Sequence, residues 1–158
     1  MKSLYSTFAY PYLTYCIHVW GKTFSTYLDP LIKTHKRIIR VITHSNYKAH
    51  TQPLFKHLGL LNLSGIYEYM VAIFMFKFRD NDLPLIFNSM FTVNSSKHDY
   101  PTRQADDYQI PNWRLETKRR SISVQGAYIW NRIPTDIKNV SSLNVFKYTF
   151  KRHVVATT

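Results

Sequence analysis

One cysteine, Cys16, stands among 158 residues, so no internal disulfide framework can brace the chain, and this usage suits a reducing compartment. Glycine is scarce as well, at four positions. No P-loop, no GxGxxG and no GxSxG occurs, so phosphate cradling by a glycine loop and serine-hydrolase chemistry lack their usual carriers. Acidic side chains are few: nine Asp and Glu face 21 Lys and Arg, for a net charge of +12. That balance makes a polyanion the leading partner class and an anionic membrane surface the second. No apolar run reaches the ~20 residues of a bilayer span. The strongest, IYEYMVAIFMFKF at 66–78, reads as a buried helix. The opening MKSLYSTFAYPYLTYCIHVWG reads the same way, because Pro11, His18 and several hydroxyl residues interrupt it and no small-residue cleavage site follows. With no signal peptide, the expected location is intracellular, nucleus or cytoplasm. A chain that enters directly on core-like sequence is expected to be a piece of something larger.

What is present points to a folded helical protein. Hydrophobic residues make up 45 % and aromatics 16 %, too many for general disorder. The 12 Tyr and 10 Phe supply area for packing and for stacking on bases. A first helix is expected over 3–20, bent or restarted at Pro11 and stopped at Gly21, with Cys16 in the core. A second runs over 26–43, with a capping pair Thr26/Asp29 and Pro30 still within the first turn. Its apolar residues Leu28, Leu31, Ile32, His35, Ile39 and Ile42 share one face, and Lys33, Lys36, Arg37 and Arg40 share the other. A short helix over 51–58 ends at Gly59, and 63–79 is apolar almost all round, the mark of a helix covered by its neighbours. Asp80–Pro84 (DNDLP) is a turn, followed by one more short helical segment. Periodicity fades from 92 to 120, where Tyr108–Ile110 can pair with Ser121–Ser123 as a short hairpin. In SISVQGAYIWNRIP, Val124, Ala127 and Tyr128 share a helix face, with close packing at Gly126 and Trp130 closing the last turn. Asn131 suits a left-handed end, Ile133 folds back and Pro134 prevents continuation. A last helix over 142–154 buries Leu143, Phe146, Phe150 and Val154.

Chemistry-bearing patterns are few. Gln104-Ala105-Asp106-Asp107 has the paired aspartates of a two-metal phosphoryl-transfer site, but no apolar strand leads in and no aromatic residue stands two before the first, so a solvated acidic turn is expected. Cys16 and His18 point away from each other on a helix, and the seven histidines lack zinc spacing. The Asn-x-Ser triplets at Asn62, Asn94 and Asn139 carry no weight without a secretory signal. What remains is the stripe of Lys33, Lys36, Arg37 and Arg40, and a second basic group, Arg114, Lys118, Arg119, Arg120 and Arg132, with Trp113 and Tyr108 nearby. Such cations pair with phosphates and interleaved aromatics stack on bases; an ordinary solvated helix face and loop would look the same.

Six segments in order, YPYLTYCIHVWG (10–21), LDPLIKTHKRIIRVIT (28–43), PLFKHLGLLNLSGIYEYMVAIFMFKF (53–78), HDYPTR (98–103), GAYIWNRIP (126–134) and SLNVFKYTFKRHV (142–154), span nearly the whole chain. Together they resemble the C-terminal region of reverse transcriptases from non-LTR (LINE-type, jockey-like) retrotransposons of animals. The likeness departs at LETKRRS, where relatives carry a glycine-containing turn. It implies a mainly α fold: a thumb-like helical bundle over 1–91, a polar connecting segment with the hairpin over 92–120, and a C-terminal helical extension over 121–158. It implies an origin in an RNA-directed DNA polymerase whose palm and fingers, with the catalytic Mg²⁺, lie outside this chain, so no cofactor and no polymerase activity are expected of it alone. The implied partner is an RNA or DNA template–primer gripped through its backbone. Lys33, Lys36, Arg37 and Arg40 would be phosphate contacts, with Arg103, Arg114, Arg119 and Arg120 as looser candidates. A free-standing basic helical module that binds nucleic acid or protein, and a peripheral membrane protein using basic amphipathic helices, remain alternative readings of the same residues.

Overall fold

Helices carry nearly all of the regular structure in the computed structural model, which describes residues 2–96 and 104–157. The mainly α class expected from periodicity is what is observed. Five helices of eight or more residues stand out among the described residues: α1 (Ser25–Ile42), α2 (Thr51–Leu58), α3 (Leu63–Arg79), α4 (Ile122–Asn131) and α5 (Leu143–Thr157). The chain forms two compact units, one of Met1–Met70 with Phe150–Thr158, the other of Val71–Thr149. Both boundaries fall inside helices, α3 and α5, rather than in connecting segments.

In the first unit, the amino-terminal segment is a chain of short helical pieces. A wide π turn over Tyr5–Ala9 precedes Tyr10–Thr14. Pro11 explains it: the ring excludes the carbonyl four residues back and supplies no N–H, and a wider turn relieves both. A second break was not foreseen. Cys16 takes the left-handed conformation, φ 49°, between Tyr10–Thr14 and Ile17–Trp20. That turn brings Ile17 fully inside and leaves Cys16 exposed, so the expected core cysteine is a surface residue. Nor is the segment buried all round: Tyr5, Leu13 and Ile17 point inward, while Leu4, Phe8, Tyr12, Tyr15 and Val19 are exposed. Gly21 ends the last piece with φ −66°, not as a left-handed stop. Its role is room, since a Cβ there would collide with the Tyr67 ring and lie 2.6 Å from the Ile17 carbonyl oxygen.

α1 starts one residue before its expected position, with Phe24 as N-cap and no side-chain cap. The Thr26/Asp29 capping pair therefore does not form, and Pro30 lies inside the helix, where it leaves one carbonyl without its usual donor. The other end closes with two bonds around left-handed His44 (φ 51°): Ser45 N–H donates to Arg40 O at 3.0 Å and His44 N–H to Val41 O at 3.2 Å. α2 and α3 occupy the expected residues, and Gly59 supplies the left-handed stop of α2 at φ 61°. On α3 only Ser64 is exposed. Among the described residues no single helix is long and apolar enough to cross a membrane.

The second unit is built around the rest of α3, where Val71, Ala72, Met75 and Phe76 are buried with Phe91, Tyr108, Val124, Ala127, Trp130 and Phe146. Rings of Phe76 and Phe146 lie 4.6 Å apart, and those of Phe78 and Phe91 4.9 Å. Gly126 is a close-approach glycine, as expected: a Cβ would lie 2.8 Å from Phe91 Cζ and 2.9 Å from Met75 Sδ. Three local expectations fail here. Tyr128 is exposed rather than part of the packed face. Asn131 stays helical and spends its side chain elsewhere: its Oδ1 accepts from the Tyr108 N–H at 3.0 Å, and its Nδ2 donates to the Tyr108 carbonyl at 2.8 Å. The hairpin has the wrong partner. Ser121 is the N-cap residue of α4, its carbonyl accepting from Val124 and Gln125, because the Val124–Ala127–Trp130 periodicity draws 122–131 into a helix. Tyr108 instead bridges Val93 antiparallel, with Gln109 N–H donating to Thr92 O at 2.8 Å and Asn94 N–H to Asp107 O at 3.0 Å. In α5, Phe146, Phe150 and Val154 are buried as expected and Leu143 is half-buried.

The inward face of α1 carries a titratable group. His35 is 1 % exposed, its Nε2 hydrogen-bonded to the Tyr5 hydroxyl at 2.9 Å and its ring edge-on to Phe55 at 4.9 Å. Burial pushes the imidazole from its ordinary 6.5 down to about 4. Between those values the unfolded chain binds a proton that the folded chain refuses, so stability is present at neutral pH and is lost as pH falls. We expect urea unfolding to show a loss of about 2 kcal/mol between about pH 7 and pH 5. His35→Gln should remove most of that dependence; an unchanged pH profile in the variant would contradict a buried neutral His35.

Candidate nucleic-acid interface

Lys33, Lys36, Arg37 and Arg40 are spaced i, i+3, i+4 and i+7, which sets them in one row on α1. Burying His35 and Ile39 on the opposite side turns that row outward. All four line one open groove of about 380 Å³, together with Pro30, Thr34 and Tyr47. Lys33, Lys36 and Arg37 are exposed; Arg40 is half-buried, a departure from the expectation of a fully solvated stripe. Its Nε donates to the Ala49 carbonyl at 2.9 Å, which ties the helix to the loop that follows.

Tyr47 is the residue that sequence reasoning missed. It sits on that loop, 70 % exposed, with the guanidinium carbons of Arg37 and Arg40 each 6.0 Å from its ring centroid. The loop is held in place by local bonds: Asn46 Oδ1 accepts from Lys48 N–H at 3.0 Å, and Ala49 N–H donates to Asn46 O at 2.9 Å. Nothing in the spacing of Tyr47 marks it, because its return to the helix depends on left-handed His44.

Among the described residues no carboxylate lines the groove and none of the four cations takes part in an ion pair. Like charges three and four apart on a helix repel by roughly 0.2–0.5 kcal/mol per pair. The row contains four such pairs, which the contacts of Arg37 and Arg40 with Tyr47 and the Arg40 bond to the Ala49 carbonyl offset only in part, so a bound anion would relieve repulsion.

The second basic group is differently disposed. Glu116 takes up two of its members: Arg119 Nε donates to Oε2 at 2.7 Å, and Arg120 Nη2 lies 2.8 Å from Oε1. The hydrogen bond from Arg119 holds the Glu116 carboxyl below its ordinary range. Lys118 donates to Ser123 Oγ at 3.0 Å, and Arg132 lies 5.3 Å over the Tyr128 ring. Arg114 and Trp113 are exposed, but Tyr108 is a core residue and offers no stacking face. Arg103 and the HDYPTR segment that contains it lie outside the described residues. In the acidic turn, Asp106 is exposed and Asp107 pairs with Lys138 at 3.6 Å. Among the described residues no group of three or more His, Cys, Asp or Glu could hold a metal ion. His18 Nε2 is hydrogen-bonded to the Met70 carbonyl at 3.1 Å.

Comparison with protein-family models, with curated proteins and with solved structures finds no match for this chain. The exposed cations and the tied one should separate in a stability measurement. Combined Lys33→Glu, Lys36→Glu and Arg37→Glu is expected to change unfolding free energy by no more than about 1 kcal/mol. Arg40→Glu alone should cost about 1–2 kcal/mol through the lost bond to Ala49. Unfolding of the triple variant would mean that the row is structural.

Proposed function

We propose that this chain is the thumb and post-thumb part of a reverse transcriptase of the non-LTR retrotransposon type, and that it binds an RNA or DNA template–primer without sequence preference. The observation that carries the reading is the groove on α1, where four cations gather beside an exposed tyrosine with no carboxylate among them. Phosphate contacts fix position without reading bases, so a row of Lys and Arg on one rigid helix suits a grip on any sequence. The ordered likeness of six segments gives the grip its origin, and the same groove chemistry would serve a free-standing basic module.

Chain synthesis is assigned to no residue of these 158. In the proposed scheme Mg²⁺ and the carboxylates that hold it belong to the palm, and Asp107 is instead paired with Lys138. The role of this part is to hold the strand: Lys33, Lys36 and Arg37 supply solvated charge at the groove mouth, and Arg40 supplies charge from a tied position. Arg114 is the exposed candidate of the second group, while Arg119 and Arg120 would have to leave Glu116 to reach a phosphate.

Binding through ~4–6 phosphates releases counterions in proportion, so the observed association constant should fall with a log–log salt slope of about −3 to −5. Fluorescence anisotropy over a salt series with mixed-sequence oligonucleotides measures it. A flat response would contradict the proposal.

A further inference from the structure

Resting on the phosphate-binding reading above, we infer that the α1 groove selects nucleotides with unpaired bases: phosphates sit on Lys33, Lys36 and Arg37 while a base stacks on Tyr47. A row of cations alone is indifferent to strandedness, since a duplex and a single strand both present phosphates. Tyr47 breaks that indifference. Its ring stands beside the cations, 70 % exposed, and it is not part of the core. In a duplex the faces of internal bases are covered by their stacked neighbours. A single strand, or the overhang beside a primer end, leaves base faces free for an aromatic side chain.

The loop that carries the ring is held by its own bonds. Left-handed His44 reverses the chain after α1, the Arg40 Nε bond to the Ala49 carbonyl closes the loop, and the guanidinium carbons of Arg37 and Arg40 each lie 6.0 Å from the Tyr47 ring centroid. A tied loop leaves only the side chain to be ordered on binding, which lowers the cost of stacking. The groove volume of about 380 Å³ is near the lower end of ligand clefts, ~300–1,000 Å³. That is room for a nucleotide-sized group.

The test compares three fluorescent probes at one ionic strength: a mixed-sequence single strand, the blunt duplex of the same sequence, and an abasic strand with the same number of phosphates. The intact chain should bind the single strand more tightly than either of the others. Tyr47→Ala should weaken single-strand binding by about 5- to 150-fold. It should leave duplex binding, abasic-strand binding and the salt slope unchanged, and Tyr47→Phe should retain the preference. The unchanged duplex affinity shows that the variant is folded. Equal affinity for strand and duplex, with no effect of Tyr47→Ala, would overturn the stacking inference and leave phosphate binding standing. Binding to none of the three probes, or only to phosphatidylserine vesicles, would overturn both.

Discussion

α3 is a helix with little solvent face: apart from Ser64, every residue of Leu63–Arg79 is buried or half-buried. A helix so apolar has to be covered on all sides, and that demand organises each unit around its own portion. In the first, Tyr67 approaches Gly21 so closely that no side chain fits there, and Val154 approaches Gly65. In the second, Met75 and Phe91 close over Gly126, and Phe76 packs on Phe146. Two of the chain's four glycines are therefore spent where another element needs room, Gly21 and Gly126. A third, Gly59, serves the left-handed turn that lets α2 end before α3 begins.

The candidate site is a consequence of how α1 is rotated. His35 and Ile39 are buried, and the hydrogen bond between His35 and Tyr5 holds that rotation with a polar contact as well as an apolar one. A helix fixed in this way has no choice about its other face, where three cations are solvated and a fourth reaches the loop carbonyl. Neutral His35 inside and Lys and Arg outside are two aspects of one constraint: burial favours the uncharged imidazole, and the outward face leaves the basic side chains to solvent.

Much of this was legible in the sequence, and the parts that were not share a cause. α2 was read to the residue and α3 to about its observed bounds because strong apolar patterning ran between clear punctuation, including Gly59. The row on α1 was legible because helical spacing alone decides which residues share a face. Failures came where one side chain could serve two purposes and a distant partner decided. Asn131 could end a helix, but the backbone of Tyr108 claimed its amide. Tyr108 could pair with Ser121–Ser123, but Val93 was its neighbour and helix periodicity took the serines. Cys16 fitted an apolar helix face until a left-handed turn at its own position set it outside. Tyr47 escaped for the same reason, since one residue at positive φ, His44, determined where it landed.

The central claim is that the outward row of α1 grips phosphates, and the most direct measurement counts them. Each phosphate contact contributes about 0.7–0.9 to the magnitude of the log–log salt slope. Binding of a mixed-sequence strand to the intact chain and to Lys36→Ala, measured over the same salt series, should give slopes that differ by about that amount, with the variant less steep. Equal slopes would contradict the account, because Lys36 would then neutralise no phosphate.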